Sequence, residues 1–570
     1  MSTLQLRRRE SKGVPGDWPA SVHPVVQRVY AARGVLTAAE VEHRLARLLS
    51  PQTLGGLDVA VALLMEAIRD DWSILIAGDY DCDGATGTAL AVRGLRLLGA
   101  RKVDYVVPNR FIHGYGLSPA LVESLQPKPQ LIVTVDNGVA SVAGVAAAKA
   151  MGIRVIVTDH HLPGEQLPAV DAMVNPNLAG DDFPSKALAG VGVMFYLLLA
   201  LRAALRGQGA FTAGREPDLS VLLDLVALGT VADLVPLDFN NRVLVDAGLQ
   251  RIRSGRACAG ITALIESAKR SVSTLCASDL GFAVGPRLNA AGRLEDMSIG
   301  IECLLSDDVV QARDYAERLS AINRERRDLQ ASMVAEAELM VAGTTHTDAI
   351  GVALYEPSWH AGVVGLVASK LKDRLHRPVI AFAPASEDNT DELRGSARSI
   401  SGFHIRDALA VIDARHPGLI ERFGGHAMAA GLSLKACDYD RFAVAFDVVA
   451  RELLDEEHLQ AALYTDGELP PGAVTLDLAR QLRDAGPWGQ GFPEPLFDNL
   501  FECASWRAMG ERHWRLSLRD PRDGGLHDAV MFNVGTDAPP IRLRAVYELT
   551  INDWQGRESA RLLLRHVESA

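Results

Sequence analysis

The sequence predicts an α/β protein: a parallel-sheet domain is joined by a long helix to a second α/β domain, and a β-rich, OB-like module follows. Three observations carry that expectation. Between Trp72 and Asp233, short apolar runs rich in β-branched residues alternate with Ala- and Leu-rich helical stretches, the pattern of a parallel sheet covered by helices on both faces. From 306 to 342 the chain has no Gly or Pro and carries one apolar stripe at helical spacing. After Glu468-Leu-Pro-Pro-Gly472 the composition shifts to short segments separated by turn signals.

Taken in order, residues 1–70 read as an N-terminal helical extension. In 71–240, the expected strands are Ile74-Leu-Ile-Ala77, Val103-Asp-Tyr-Val-Val107, Leu131-Ile-Val-Thr-Val135 and Val155-Ile-Val157, with helices such as Thr86 to Leu98 and Val142 to Met151 between them. Such sheets bind ligands beyond the carboxyl ends of their strands. Residues 241–345 form a helical connector. It ends in the long helix, with Leu319, Ile322, Leu329, Met333 and Met340 on one stripe and Arg324 to Asp328 on much of the remainder. So much polar surface suits a bridge between domains. In 346–456, Ile350 to Leu354 and Val379 to Phe382 read as strands around a helix from Gly362 to Leu375. The segment 465–570, with turns at Arg519 to Gly525 and at Asp553-Trp-Gln-Gly556, reads as a small barrel able to hold single strands.

A chain of 570 residues exceeds what one core supports, and 48% hydrophobic with 23% charged residues is a globular composition that disfavours wholesale disorder. The cluster Arg7 to Arg9 runs into Glu10, Lys12 and Asp17 rather than into an apolar stretch, unlike a secretory signal. The longest apolar run, Leu188 to Leu201, falls short of the ~20 residues of a spanning helix, so a cytoplasmic location is expected. Six cysteines without a C-x-x-C pair argue against a zinc site and against a disulfide framework. The net charge of −13 does not announce a nucleic-acid binder, although basic residues gather between Arg287 and Arg327.

The densest chemistry lies in Gly78-Asp79-Tyr80-Asp81-Cys82-Asp83-Gly84, directly after a strand. Three carboxylates at alternate positions repel one another unless cations sit among them. An EF-hand begins similarly, but the residues after Gly84 lead to Ala89-Leu90 and not to a closing Glu. Asp136 follows the strand ending at Val135, Asp159-His160-His161 follow the strand ending near Thr158, and Asp233 closes Leu228-Gly-Thr-Val-Ala-Asp233. Any one of these alone is more often a cap or a solvated loop residue; four converging on one sheet edge point to a metal centre. A thiolate-free Asp/His set suits Mn²⁺ or Mg²⁺. A pair of such ions activates water and steadies a phosphate ester, so hydrolysis of a phosphodiester or phosphoanhydride is the expected reaction. Cys82, among these residues, reads as a small buried filler.

This ordered set, Gly78 to Gly84, Val135-Asp-Asn-Gly138, Asp159-His-His161 and Ala227 to Asp233, resembles the DHH phosphoesterase family. Gly285-Pro-Arg-Leu-Asn-Ala-Ala-Gly-Arg293, Trp359-His-Ala-Gly-Val-Val-Gly365, Gly395-Ser-Ala-Arg-Ser399 and Gly424-Gly-His-Ala-Met-Ala-Ala-Gly431 narrow the likeness to the family's single-strand-specific exonucleases. The resemblance implies a DHH catalytic domain, a DHH-associated domain and a 5′-to-3′ exodeoxyribonuclease of DNA repair and recombination working with two metal ions. It implies Asp81, Asp83, Asp136, His160 and Asp233 as Mn²⁺ or Mg²⁺ ligands, with Asp79, Asp159 and His161 nearby and sharing in catalysis with Asp136. Single-stranded DNA is the implied substrate, and a single-strand-binding protein and a helicase are the implied partners. In the second domain Ser396, Arg398, Gly424, Gly425 and His426 form a donor-rich surface suited to phosphate. Arg110, Arg287, Arg293 and His360 are candidates to complete it, and Tyr80, Phe111, Tyr115, Trp359 and Phe403 are candidates for base stacking.

Two other readings are open. A small-substrate enzyme of the same family would need neither the bridging helix nor the module after residue 468. A non-catalytic scaffold would be expected to have lost ligands, and none is missing.

Overall fold

The structure, a computed structural model, describes residues 4–13, 16–109, 114–212, 214–343, 348–386, 389–510, 512–534 and 538–570. Two compact units divide the chain: Ile322–Tyr464 with the N-terminal residues up to Arg7, and Arg8–Ala321 with Thr465–Ala570.

The larger unit is built on five parallel strands, β1 (Ile74–Ala77), β2 (Val103–Val106), β3 (Leu131–Val135), β4 (Arg154–Thr158) and β5 (Ala172–Val174), in the spatial order β2-β1-β3-β4-β5. The β-branched runs account for the first four, and β3 is buried along its whole length. The edge strand β5 has no counterpart in the sequence reading, because three residues are too few to show a period. Helix α1 (Cys82–Leu97) begins four residues before the expected Thr86. Its start is set by Asp81, whose Oδ1 accepts the N–H of Gly84 at 3.0 Å, an N-cap that draws Cys82 and Asp83 into the first turn.

Helices α2 (Gly190–Gly207) and α3 (Leu223–Ala232) pack on α1, and α4 (Phe239–Arg253) packs on α3. The apolar run read as too short to span a bilayer belongs to α2, which at 18 residues is by length and composition long and apolar enough to cross a membrane. Val191, Met194, Phe195, Tyr196, Leu197 and Leu198 are nevertheless buried against neighbouring helices, as befits the central helix of a core.

The same unit holds the C-terminal module, a closed barrel of β11 (Phe497–Met509), β12 (His513–Arg519), β13 (Leu526–Phe532), β14 (Arg542–Trp554) and β15 (Arg557–Ser569) in the order β11-β12-β13-β15-β14. The pair β13/β15 is parallel and the others antiparallel, the connectivity of an OB-type barrel. Phe497, Phe501 and Tyr547 fill its interior, and the Tyr547 hydroxyl donates to Asn499 Oδ1 at 2.7 Å.

The long helix α5 (Val309–Ala342) runs 34 residues. Leu319, Ile322 and Met333 are buried, Leu329 and Met340 half-buried, and Arg324, Glu325, Arg327 and Asp328 exposed, as the stripe predicted. Its continuation enters the smaller unit, where β6 (Val352–Tyr355), β7 (Val379–Ser386), β8 (Asn389–Arg398), β9 (Arg422–Gly425) and β10 (Ala429–Lys435) form one sheet, ordered β9-β10-β8-β7-β6. Only β6 and β7 are parallel, connected through α6 (Val364–Leu375); the rest pair antiparallel. The three later strands also lack a counterpart in the sequence reading: glycines at 395, 424, 425 and 431 dilute the apolar alternation that marks a strand.

Candidate metal centre

Each acidic motif is delivered by the end of an element. Asp79 and Asp81 follow β1, Asp83 sits in the first turn of α1, Asp136 follows β3, His160 and His161 follow β4, and Asp233 caps the carboxyl end of α3. Asp233 therefore reaches the sheet edge from a helix and not from a strand. Asp136 adopts the left-handed conformation, φ 63°, which a carboxylate side chain tolerates better than a bulky one and which here turns the chain at the strand end.

The side chains converge. His160 Nε2 lies 3.1 Å from Asp136 Oδ1 and 3.5 Å from Asp233 Oδ2, and His161 Nδ1 lies 4.0 Å from Asp136 Oδ1. Three overlapping trios have ligand atoms within 4.8 Å of one another: Asp136, His160 and His161; Asp83, His160 and Asp233; and Asp79, Asp81 and Asp136. Asp79, placed beside the ligand set by resemblance, thus shares a trio with Asp136 just as Asp81 does.

The electrostatics ask for cations. Burial, and then the charges of Asp83, Asp81, Asp233 and Asp79, push the Asp136 carboxyl well above the usual carboxylate range. Burial followed by Asp83, Asp81 and Asp79 does the same to Asp233. Asp83 is pushed up to about 7 by burial and by Asp81, against the pull of the Val191 and Gly190 N–H groups. Asp136 Oδ1 is also buried and, although the His160 ring lies 3.1 Å away, makes no hydrogen bond among the described residues. A donor-starved oxygen in a nest of crowded carboxylates and imidazole fits a divalent ion.

Asp159 differs from the others. Its oxygens accept the N–H groups of Val139 (2.8 Å), His160 (2.7 Å) and His161 (3.0 Å), and Oδ1 lies 2.7 Å from His161 Nδ1. Burial opposes its ionisation, but the His161 ring and the backbone donors outweigh burial and hold its carboxyl below the usual range. Burial likewise opposes the His161 imidazolium, and Asp159, with Asp79 and Asp81, raises it overall. Asp159 thereby fixes the ring, as an acidic partner fixes a metal-site histidine.

Several positioning groups escape the sequence reading. The N–H groups of Gly190 and Val191 donate to Asp83 at 2.6 and 3.0 Å; backbone donors leave no mark in a sequence. Asn289 Oδ1 accepts the Cys82 N–H at 2.7 Å. Asn175 and Asn177 donate to the carbonyls of His161 and His160, and Asn137 donates to those of Ala77 and Val135. The signal available was an Asn within each motif or just past a strand end. Cys82 is buried, with burial raising its thiol, in keeping with a filler.

The phosphate-surface candidates separate. In the smaller unit Arg398 Nη1 donates to Ser396 Oγ at 3.1 Å and to the Ala397 carbonyl at 2.8 Å. A Cβ built on Gly365, in the first turn of α6, would lie 2.8 Å from Ser396 Oγ and 2.9 Å from Arg398 Nη2. His360 Nδ1 accepts the Gly362 N–H at 3.1 Å. The turn carrying His426 is bound to the same strand end: the Met428 carbonyl accepts the Ser399 N–H at 2.9 Å, and Gly425, φ 141°, pairs with Ala430. Ser396, Arg398, Gly365 and His360 therefore cluster at the amino end of a helix.

Arg287 finds partners within its own unit. Its Nε donates to Ser320 Oγ at 2.9 Å and its Nη2 to the Ser267 carbonyl at 3.3 Å, and its Nη1 also donates to the Ala283 carbonyl, so it braces helices of its own unit. Arg293 is half-buried. Arg110 and Phe111 lie outside the described residues. Among the stacking candidates, Trp359 and Phe403 are each only 3% exposed, and the Trp359 indole donates to Glu336. Both are core residues, drawn inward by their apolar area. Tyr115 is half-exposed and packs edge-on to Tyr80 and His161 at 6.0 and 6.1 Å, beside the metal cluster.

A parallel sheet whose carboxyl edge gathers an Asp/His cluster from these motifs defines a DHH-type phosphoesterase, and residues 73–230 match the model of the DHH family N-terminal domain. Residues 348–453 match the DHHA1 domain and 465–566 the RecJ OB domain. The chain is 51% identical over 99% of its length to the single-stranded-DNA-specific exonuclease RecJ of Dickeya dadantii and 50% identical to that of Escherichia coli, covering 99% of each. It superposes on the crystal structure of RecJ from Thermus thermophilus in complex with Mn²⁺ with a TM-score of 0.80 at 31% identity, covering 96% of this chain and 76% of that one. The same relative has also been solved with Mg²⁺. The chain belongs to the RecJ family of single-stranded-DNA-specific exonucleases.

Proposed function

We propose that this protein is a metal-dependent exodeoxyribonuclease that degrades single-stranded DNA from its 5′ end, acting in the cytoplasm in DNA repair and recombination. The observation that carries the reading is the convergence of Asp79, Asp81, Asp83, Asp136, His160 and Asp233 into overlapping trios at one sheet edge. Asp81, Asp83, Asp136, His160 and Asp233 would hold two Mn²⁺ or Mg²⁺ ions. Such ions supply an activated water and charge stabilisation for an in-line displacement at phosphorus. The protein's own part is to orient. Asp159 holds His161 Nδ1 so that Nε2 can hold or release a proton, while Gly190 and Val191 fix Asp83.

Polarity is assigned to the smaller unit. Ser396, Arg398 and His360, with the α6 amino end, offer guanidinium, hydroxyl and N–H donors to a terminal 5′-phosphate. The OB-type barrel suits the remainder of the strand. A single-strand-binding protein and a helicase are the proposed partners.

The test is a digest of a long single strand labelled at its 5′ or 3′ end, beside the same sequence as blunt duplex, with Mn²⁺ or EDTA. The reading expects immediate metal-dependent loss of the 5′ label, a spared duplex, and impaired cleavage of 5′-phosphorylated ends by Arg398→Ala. An untouched long strand, with cleavage of dinucleotides only, would overturn it in favour of a small-substrate phosphodiesterase.

A further inference from the structure

The far end of the catalytic core carries a second pocket. Helix α1 begins in the metal centre at Cys82 and Asp83 and ends at Leu97, ~21 Å away along its axis. Helix α3 runs the opposite way, from Leu223 to Ala232, where Asp233 caps it in the acidic cluster. Where α1 ends and α3 begins there is a pocket of about 480 Å³, lined by Arg93, Arg96, Arg251 and Arg256 together with Leu97 and Val221.

Its chemistry is two-sided. Leu97 and Val221 are 44% and 36% exposed, and Leu222, Leu225 and Leu305 continue the apolar lining. Four guanidiniums face two carboxylates, Asp224 and Asp307, in a chain whose net charge is −13. Asp224 is fully buried and accepts the N–H groups of Cys258 and Leu225, so it belongs to the floor. Asp307 pairs with Arg93 at 2.8 Å. Arg251 Nε lies 3.9 Å from Asp224 and is buried without a hydrogen-bond acceptor among the described residues. Among the described residues no aromatic side chain lines the pocket, so it offers no face on which a base could stack.

We propose that this pocket docks an acidic peptide segment from a partner protein: one aliphatic or aromatic side chain sits on Leu97 and Val221 while flanking carboxylates meet Arg96, Arg251 and Arg256. Charge complementarity selects this occupant, and the length of α1 keeps it clear of the hydrolytic centre, so a docked partner leaves the cluster accessible.

The experiment measures fluorescence anisotropy of a labelled hexapeptide holding one leucine between four carboxylates, titrated with the full chain. The expected result is saturable binding that weakens as salt rises. Binding should weaken ~10-fold or more with Arg256→Glu and comparably with Leu97→Asp, and be absent for a peptide with glycine in place of leucine. Arg256 and Leu97 are exposed, so both variants should fold and retain hydrolysis of a naked oligonucleotide. Absence of saturable binding, or binding indifferent to both substitutions, would overturn the proposal. Oligonucleotide binding lost through the same substitutions, without peptide binding, would assign the pocket to nucleic acid and overturn it equally.

Discussion

Gly190 and Asp83 meet end-on: the N–H at the start of α2 donates to the Asp83 carboxylate at 2.6 Å, placing a carboxylate of the acidic cluster at the positive end of a helix. Gly190 also touches Asp136, because a Cβ built there would lie 2.5 Å from Asp136 Cβ and 2.8 Å from its Cα. Gly190→Ala should therefore shift both carboxylates while leaving every ligand in the sequence. A displacement of that order is expected to lower hydrolysis of a labelled single strand by ~100-fold, with a parallel loss of Mn²⁺ affinity in calorimetry. Unchanged turnover would show that the helix start does not set the site.

Metal removal should be visible in stability. Burial and mutual repulsion drive Asp136 and Asp233 toward protonation without cations, so divalent ions bind the folded state in preference to the unfolded one. At an ion concentration of about 100 times the dissociation constant the gain is ~2.7 kcal/mol. Thermal unfolding should shift upward with Mn²⁺ and return on EDTA. Asp136→Asn, which keeps a residue type tolerant of φ 63°, should melt no lower than wild type in EDTA and gain little from Mn²⁺.

His43 gives a pH dependence away from the centre. Burial, with Arg242 and Arg47 nearby, lowers its pKa from 6.5 to about 4, and its Nε2 accepts from Arg242 Nε at 3.4 Å. Between pH 6.5 and about 4 the unfolded chain binds a proton that the folded chain refuses, so stability falls as pH drops through this window and is fully present above it. His43→Gln should flatten that part of the urea-midpoint profile. An identical slope in the variant would place the titration elsewhere.

Arg33 and Asp466 form a buried bidentate pair, 2.8 and 3.1 Å, with side chains 1% and 0% exposed. The pair ties the N-terminal helical segment to the chain entering the OB module. Asp466→Ala leaves a buried guanidinium without its carboxylate and should cost ~3 to 5 kcal/mol, read as a lower urea midpoint. Double replacement by apolar residues should recover part of that loss.

The fold was legible wherever a period or a motif was local. Four strands of the parallel sheet, the 34-residue helix and the barrel module announced themselves through β-branched runs, an unbroken apolar stripe and clustered turn residues. Strand β5 was too short to show, and β8 to β10 were hidden by glycines whose pairing depends on partners distant in sequence. The acidic and histidine residues were legible because carboxylates crowded at strand ends have few other uses.

What the sequence determined by itself was the identity of the acidic and histidine residues that cluster and the motif that carries each, since both follow from short-range order. Only the tertiary structure decided that Asp79 shares a trio with Asp136 and Asp81, that Gly190 and Val191 clamp Asp83, that Trp359 and Phe403 are buried and that Arg287 donates to Ser320. Those outcomes rest on contacts between residues tens to hundreds of positions apart and on backbone donors that every residue but proline carries. Packing, not residue type, distributes them.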